Sequence, residues 1–335
     1  MFPVLIEIGG HKILYTFGVL VLAGVLVGLH FIKKDARRVG LDPEDTISLA
    51  TEVFIAGLIG SRIFFIVLNW EQMYAGASWF AMINLREGGL VWYGGLLAAV
   101  PVAIWRAWAY GFPIAKVCDL FAAPVMLGLS IGRLGCLAAG DDHGKVWPEE
   151  TWFTLTFTDR NALMDPRYLD LPLLPSQPLM SLGTFLIFCL LWSLRKKLYL
   201  RRGAISALLF VVYPIHRFLI ELTRGDDVRG HLPPDFPLLG GMATSQALSV
   251  PLVLCGVGLF SYFAFVRTPA DPDPPADGED AATPPAAAGE AAPASAPAPE
   301  EPAPAPPPSD GRDPDATLGA ETMTAEGLGE DPGSS

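Results

Sequence analysis

Seven apolar stretches, each long enough to cross a lipid bilayer, constrain this chain more than any other feature of its sequence. A transmembrane helix needs about 20 apolar residues, with a range of roughly 17–25. Hydrophobic residues make up 51% of the 335 positions and gather into these runs, which is not typical of a soluble globular protein. We therefore predict an all-α membrane protein, a seven-span transmembrane helical bundle with spans near Ile13–Ile32, Ile47–Leu68, Gly89–Trp105, Val117–Leu137, Leu179–Leu194, Gly203–Leu222 and Ala243–Val266.

The net charge of −12 divides unevenly along the chain. From Thr268 to Ser335 there are fifteen acidic residues, no lysine and one arginine, so this segment carries −14 and residues 1–267 carry +2. The segment is otherwise rich in proline, alanine and glycine, and it has too little apolar surface to offset the entropy that ordering would cost. We predict that residues 1–267 form the transmembrane domain and residues 268–335 a disordered cytoplasmic tail.

Basic residues collect in alternate connections between the predicted spans. Clusters follow the first, third and fifth spans: Lys33, Lys34, Arg37 and Arg38; Arg106 and Lys116; Arg195, Lys196, Lys197, Arg201 and Arg202. Because connections rich in lysine and arginine stay in the cytoplasm, the N-terminus is predicted outside and the tail inside. The longest connection, from Ala138 to Pro178, then lies on the outer face.

An arginine at the end of the fourth stretch gives the strongest indication of chemistry, because ionisable groups in hydrocarbon are costly and mark functional sites. Gly128 and Gly132 form a GxxxG step that lets a neighbouring helix come close, and Arg133 follows. A guanidinium here can hold a lipid phosphate through two hydrogen bonds, and a nearby carboxylate, of Asp141 or Asp142 just beyond, can orient it or accept a proton. The structural alternative is a snorkelling arginine followed by a solvated Asp141–Asp142 turn.

A second charged group lies in the sixth stretch. Arg217, Glu221 and Arg224 are spaced at i, i+4 and i+7, which predicts that they share one helix face. Pro214 is expected to kink this helix. The structural alternative is an ion-pair ladder without a role in chemistry.

Two further segments carry polar groups into apolar surroundings. Paired glycines bracket Tyr93 at the start of the third span and permit irregular backbone or close approach of a ligand; an interfacial tyrosine is the alternative. Ser176 and Gln177 open the fifth span, where helix capping is the simpler explanation. Arg62 is another cation within an apolar stretch.

Taken in order, these motifs resemble the prolipoprotein diacylglyceryl transferase family. The similarity runs from the N-terminus to about Arg267 and comprises Gly60–Ile63, Gly88–Gly95, Asp119, Ala123–Pro124, Gly132–Gly144, Pro175–Gln177, Gly203–Ala204, Tyr213–Arg224 and Gln246–Ser249. The resemblance implies a seven-span bundle in the bacterial cytoplasmic membrane, with an active cavity toward the outer leaflet. It also implies an enzyme that moves the diacylglyceryl group of phosphatidylglycerol onto the lipobox cysteine thiol of a preprolipoprotein, releasing glycerol 1-phosphate.

The resemblance also implies roles for individual residues. Arg133 matches a headgroup-contacting arginine of the family signature, which includes Gly132 and Gly144, and Arg217 matches a second essential arginine. Substrate contacts are expected from the remaining residues of these motifs: Glu221, Arg224, Ser176 and Gln177. The substrates implied are phosphatidylglycerol and the signal peptides of preprolipoproteins, bound by a monomer in the membrane, with no nucleic acid.

Several positions depart from the family pattern, so the chain is interpreted as a divergent member. Cys136 and Ala139 stand where asparagine is common, Phe17 replaces a tyrosine, and the segment Leu174–Met180 replaces a His-Pro-Ser-Gln-Leu-Tyr-Glu box. Tyr93 occupies a position where histidine is frequent, and Asp141 one where glutamate is usual. The base that deprotonates the substrate thiol is therefore predicted to be either Tyr93 or Asp141.

Two other function classes are compatible with buried charges. A transporter or channel would line a path with them, but no inverted repeat relates the two halves of the sequence. A non-catalytic relative that binds lipid or lipoprotein is the third possibility. Neither a metal nor a cofactor is expected, since four scattered cysteines form no CxxC pair and have no histidine at ligand spacing: Cys118, Cys136, Cys189 and Cys255.

Overall fold

The computed structural model describes residues 3–8, 11–74, 82, 89–225, 231–234 and 240–267. The predicted tail, residues 268–335, lies outside these described residues. The chain begins with an antiparallel hairpin of β1 (Val4–Ile8) and β2 (His11–Tyr15). Seven α-helices follow within the described ranges: α1 Thr16–Ala36, α2 Pro43–Leu68, α3 Trp92–Ala109, α4 Ile114–Ala139, α5 Ser176–Leu194, α6 Ala204–Glu221 and α7 Thr244–Ser261.

Six of these helices, with short extensions of α1 and α7, are long and apolar enough to cross a membrane: Thr16–Val39, Pro43–Leu68, Ile114–Ala139, Ser176–Leu194, Ala204–Glu221 and Thr244–Val266. This confirms the predicted all-α membrane protein. The stretch predicted near Gly89–Trp105 does form a helix, α3, but it is not among the six found in the described part of the chain. Its aromatic residues, its glycines and Arg106 lower its mean hydropathy.

The surface of the bundle suits a hydrocarbon solvent. Large apolar side chains are exposed along the outer faces of the helices, among them Leu26, Ile59, Leu97, Leu186 and Leu254. In water such a surface would aggregate, whereas lipid tails are as apolar as leucine. The exposed leucines therefore agree with a chain that crosses a membrane several times.

Glycines bring two pairs of helices into close contact. A Cβ at Gly24 of α1 would lie 2.7 Å from the Gly128 carbonyl oxygen of α4, and one at Gly135 would lie 3.2 Å from the Phe17 ring. These pairings make α1 and α4 antiparallel. The predicted GxxxG step is only half used for packing, because a Cβ at Gly132 would meet no atom of the described residues within 4 Å.

Helix α3 packs on α2 in the same way. A Cβ at Gly60 of α2 would lie 2.6 Å from the Gly94 carbonyl oxygen. The glycines beside Tyr93 thus serve helix packing, while Gly89 has the irregular backbone that the sequence predicted, with φ = 92°. The Arg62 guanidinium donates to the Gly89 carbonyl at 3.0 Å and to the Met82 carbonyl at 2.8 Å. Arg62 therefore holds the backbone that precedes α3 in place.

A half-buried carboxylate of α4 positions the start of α6. Asp119 accepts hydrogen bonds from the backbone N–H groups of Gly203, at 2.6 Å, and Ser206, at 2.7 Å. Gly203 has φ = 102°, a conformation that favours glycine. Asp119 therefore caps α6 from a neighbouring helix, which fixes the direction of the helix that carries Arg217.

Candidate active site

The carboxylate of Asp142 joins two arginines from distant parts of the chain. Its Oδ2 pairs with Arg133 of α4, and its Oδ1 pairs with Arg224, which follows α6. The Arg224 side chain is 7% exposed and that of Arg133 is 20% exposed. The three groups together carry one net positive charge at the end of an apolar bundle, and a phosphodiester carries one negative charge. This trio is the centre of the candidate site.

The loop that follows α4 gives Asp142 its position. Helix α4 ends at Ala139 and is capped by Gly140, which has φ = 72°, and the Asp141 N–H donates to the Cys136 carbonyl at 3.0 Å. Such a left-handed turn closes the helix. Asp142 itself has φ = 56°, uncommon for a residue other than glycine, and its N–H donates to Asp141 Oδ1 at 2.8 Å. The turn directs the Asp142 carboxylate back toward Arg133.

Electrostatics favour the ionised form of this carboxyl. Burial alone would raise the pKa of Asp142, but the guanidiniums of Arg224 and Arg133 outweigh burial and hold this pKa below its usual range. Asp142 is therefore an anion at neutral pH. Each guanidinium carries five N–H donors.

Gly144 allows three chain segments to pack together next to the trio: the loop after α4, the residues after α6 and the residues that lead into α5. The backbones of Gly144 and Arg224 form an antiparallel bridge, and the Lys145 N–H donates to the Thr223 carbonyl at 2.9 Å. A Cβ at Gly144 would overlap the Leu174 carbonyl and lie 2.8 Å from Ser176 Oγ. A side chain at position 144 would consequently force the Gly144 backbone away from the segment that leads into α5.

The first residues of α5 complete this side of the site. Ser176 Oγ lies 3.0 Å from the Thr223 carbonyl oxygen and 2.9 Å from Thr223 Oγ1. The Gln177 side chain is buried, and its Nε2 donates to the Asp141 carbonyl at 2.8 Å. Both residues were predicted to bind substrate, and the structure brings both to the segments that hold Asp142.

The second charged group differs from its prediction in one respect. Arg217 and Glu221 pair along α6 as predicted, and the Glu221 side chain is almost fully buried. The helix ends at Glu221, however, so Arg224 does not share its face. Chain reversal after Glu221 turns Arg224 toward Asp142. The prediction of one helix face carrying all three residues is therefore wrong for Arg224.

Tyr93 lies apart from these groups. It occupies the first turn of α3, is half exposed, and packs edge to face on Trp92 with 5.6 Å between ring centroids. In the described part of the chain, no hydrogen bond or ion pair links Tyr93 to Arg133 or Arg217. Asp141, the other predicted base, directly precedes Asp142 and is exposed.

Two residues of the site were not assigned roles from the sequence. Asp142 bridges the arginines although Asp141 was the predicted residue, and only the loop conformation distinguishes the two. His143 is buried against Tyr168, with ring centroids 4.4 Å apart, and its Nδ1 lies 2.9 Å from the Gly144 carbonyl oxygen. The glycines that flank Asp141–His143 were the available signal for a tight, irregular loop.

Comparison with known proteins identifies the family. The model of the prolipoprotein diacylglyceryl transferase family matches residues 3–262. The chain belongs to this family. The match extends from β1 into the π-helical turn that follows α7, so it includes every helix described above and all residues of the candidate site. The resemblance inferred from the motifs is confirmed.

Named relatives of this prolipoprotein diacylglyceryl transferase family member are found among Bacillus species. The proteins from Bacillus cereus (strain 03BB102) and Bacillus anthracis (strain A0248) are 28% identical over 255 residues, which cover 76% of this chain and 89% of theirs. The protein from Bacillus mycoides (strain KBAB4) is 28% identical over 244 residues, covering 72% of this chain and 85% of its own. Each is named phosphatidylglycerol–prolipoprotein diacylglyceryl transferase.

Proposed function

We propose that this protein transfers the diacylglyceryl group of phosphatidylglycerol to the lipobox cysteine of a preprolipoprotein. The observation that carries the proposal is the trio of Arg133, Asp142 and Arg224 at the end of a lipid-exposed bundle. Family membership and the names of the relatives support the same reaction. The enzyme is a transferase of lipoprotein maturation and a multi-pass membrane protein.

The phosphate is the group that the site is suited to stabilise. Arg133 and Arg224 offer N–H donors to its oxygens, and Arg217 supplies a second cationic contact from α6, held in orientation by Glu221. Gly132 leaves room beside Arg133, and Ser176 with Gly144 fixes the segment that carries Arg224. Preorganised donors of this kind each contribute about 2.7–4 kcal/mol to lowering a barrier.

The reaction is a displacement at carbon. The substrate thiol loses its proton, its sulfur attacks the diacylglyceryl carbon that bears the phosphate oxygen, and a carbon–sulfur bond forms as the carbon–oxygen bond breaks. The electron pair of the broken bond leaves with glycerol 1-phosphate, whose growing negative charge the arginines stabilise. No electron is exchanged, and the step uses neither metal nor cofactor.

A base must take the thiol proton, because a cysteine thiol has a pKa near 8.5 in water and only the thiolate attacks. Of the two predicted candidates, Asp141 is favoured over Tyr93. Asp141 adjoins Asp142 and therefore the phosphate site, whereas Tyr93 packs on Trp92 in α3. Tyr93 is left with a role at the lipid or signal-peptide surface.

Lipid reaches such a site from the side. An apolar groove between α6 and α7 opens on the helix that carries Arg217 and suits an acyl chain; it is lined by Pro214, Ile215, Phe218, Leu219, Ser249, Val250, Val253 and Leu254. The basic clusters lie at the opposite end of the bundle, after α1 and α5 and before α4. Because the positive-inside rule favours a cytoplasmic location for that end, we infer that the site faces the outer leaflet of the bacterial inner membrane, with the N-terminus outside.

One assay tests the proposal. Purified full-length protein, acting as a monomer, is mixed with phosphatidylglycerol and a lipobox peptide, and mass spectrometry is used to detect a peptide enlarged by one diacylglyceryl group. We expect the adduct to form on the cysteine and to be absent when serine replaces that cysteine. A transporter or a protein that only binds lipid would give no adduct, and that result would overturn the proposal.

A further inference from the structure

Gln177 carries a buried hydrogen-bond acceptor that the protein does not use. The residue is 1% exposed, and its Oε1 is buried without a hydrogen-bond partner among the described residues. The orientation of the amide is fixed chemically, because Nε2 donates to the Asp141 carbonyl and a carbonyl oxygen can only accept. Reversing the amide would place two acceptors against each other. Oε1 is therefore an acceptor that has no donor among the described residues.

Buried polar atoms in folded proteins are nearly always paired, and an exception calls for an explanation. Three other atoms share this condition: Thr151 Oγ1, His216 Nε2 and Ser245 Oγ. Gln177 alone among these four is bonded to the loop that presents Asp142. Its free oxygen thus belongs to an amide that is bonded to the Asp141–Asp142 loop.

The chemistry of the trio is suited to the phosphate of a headgroup more than to its hydroxyls. Guanidiniums only donate hydrogen bonds, so Arg133 and Arg224 can bind phosphate oxygens but not hydroxyl hydrogens. Each carboxylate oxygen of Asp142 already accepts from one of these arginines, so part of its accepting capacity is taken. The unused Gln177 Oε1 is a further acceptor, bonded through its own amide to the Asp141–Asp142 loop, that a headgroup hydroxyl can use.

We propose that Gln177 Oε1 accepts a hydrogen bond from a glycerol hydroxyl of the headgroup and thereby selects a polyol phosphodiester over one without hydroxyls. This inference rests on the proposed function, whose lipid substrate it concerns. The Nε2 contact with Asp141 holds the acceptor in place, so that Gln177 couples headgroup recognition to the loop that bears the arginine-binding carboxylate. Gln177 is thus a specificity residue.

The test compares two lipids with the same acyl chains. Phosphatidylglycerol is set against phosphatidylpropanol, whose three-carbon headgroup has no hydroxyl, and transfer to the lipobox peptide is measured for each. We expect the wild-type protein to prefer phosphatidylglycerol by about tenfold, the size of one buried hydrogen bond. Equal rates with the two lipids would overturn the inference without any mutation.

Two substitutions of Gln177 distinguish its recognition of the headgroup from its stabilisation of the Asp141–Asp142 loop. Gln177→Met keeps the shape of the side chain and removes the acceptor, so the ratio of the rates with phosphatidylglycerol and phosphatidylpropanol should fall toward one. Gln177→Glu keeps an acceptor oxygen but loses the donor to Asp141; its rates fall with both lipids while the preference persists. As a matched control, Ser181→Ala lies one turn further along α5, where its hydroxyl bonds to Ser130, and it should keep the wild-type preference.

A structural role or a contact with the peptide would give a different pattern. In either case Gln177→Met would slow both lipids by the same factor and leave the preference unchanged, which contradicts the inference. Binding of each lipid to the purified protein, measured by native mass spectrometry, provides an independent reading. If no adduct forms with either lipid, the proposed reaction fails, whereas the preference in lipid binding measured by native mass spectrometry, and its loss in Gln177→Met, still decide the inference on Gln177.

Discussion

Two aspartates, at opposite ends of the bundle, each hold a pair of arginines. Asp142 joins Arg133 and Arg224 beyond the end of α4. Asp35, in the last turn of α1, accepts from Arg38 at 2.6 Å and 2.7 Å and from Arg195 at 3.1 Å. Because α1 and α4 are antiparallel, these two centres lie on opposite sides of the membrane. Their charges are the same, so their surroundings must account for any difference in role.

The surroundings of Asp35 leave few groups with which a ligand could bond. Its side chain is 6% exposed, against 26% for Asp142. Arg195 lies 3.4 Å above the Trp192 ring centroid and Arg38 lies 5.2 Å above that of Tyr199, so each cation also has an aromatic face as a partner. Asp35 is also part of regular helix. These features describe a structural tie between α1 and α5.

The surroundings of Asp142 are less complete. Asp142 lies in a left-handed loop, Gly132 leaves open space beside Arg133, and Gln177 keeps an unused acceptor. Each of these would be a defect in a purely structural ion pair, since buried charges are stable only when fully hydrogen-bonded. The comparison teaches that a buried arginine marks a site only when its neighbours leave part of its bonding capacity to a substrate.

The largest contrast is expected from removing one arginine at each centre. Arg133→Ala should lower transfer by about 10²–10³-fold, the loss typical of one preorganised donor, while the protein still inserts in the membrane. Arg195→Ala should lower the thermal stability but leave the activity of the folded protein close to normal. The adduct assay and thermal unfolding in detergent measure the two effects. Near-normal transfer by Arg133→Ala would remove its central role.

The next contrast concerns the proton acceptor. Asp141→Asn should lower the transfer rate by about 10²-fold, as expected for loss of a positioned base, and Tyr93→Phe by much less. Rates are measured from pH 6 to about pH 9, because a rising pH supplies thiolate without a base and should narrow the gap between Asp141→Asn and wild type. A larger loss in Tyr93→Phe would place the base on α3 instead.

Much of the fold could be predicted because hydrophobic length alone determines where a helix crosses lipid. Six predicted stretches appear as spanning helices in the described chain, and the motif order identified the family correctly. Bundle packing was predicted less well. The sequence indicated a GxxxG step, but only Gly128 packs on a neighbour, and nothing in the spacing shows that Gly132 faces open space.

The site shows where sequence reasoning stops. Asp141 and Asp142 are chemically identical neighbours, and the φ angles of a two-residue turn decide which one meets the arginines. Arg224 was expected on the helix face of Arg217, yet α6 ends at Glu221 and the reversal that follows supplies the partner of Asp142. Loop conformation, rather than periodicity, assembles this centre.

Neutralising the two aspartates should separate activity from stability. Asp142→Asn and Asp35→Asn each remove the negative charge that joins two arginines, so each should lower the free energy of unfolding by about 1–3 kcal/mol. Only Asp142→Asn should also reduce transfer, through displaced arginines. Unfolding in detergent with parallel adduct assays checks this. Equal losses of specific activity in both variants would contradict the distinction between the centres.

The pH dependence of Asp142→Asn has a definite sign. The arginines hold the pKa of Asp142 below its usual value of about 3.9. Its contribution to stability is therefore complete above that usual value and is lost as the pH falls through the lower, folded-state pKa. The difference in stability between wild type and Asp142→Asn should stay constant from pH 7 to about 5 and disappear in stronger acid. A difference that grew on acidification would contradict the assigned ion pair.

The smallest expected effect on stability comes from adding a methyl group at Gly132, which has open space beside it. Gly24, which packs against a neighbouring helix, is the contrasting position. Gly132→Ala adds a methyl group where a Cβ meets no described atom, and alanine favours a helix over glycine by about 0.5–1 kcal/mol; stability should hold or rise slightly. If the space belongs to the headgroup, the KM for phosphatidylglycerol should rise several-fold. Gly24→Ala places its methyl group against the Gly128 backbone and should lower stability by about 1–3 kcal/mol, with an unchanged KM. An unchanged KM in Gly132→Ala would mean that the space beside Arg133 belongs to the membrane and not to the substrate.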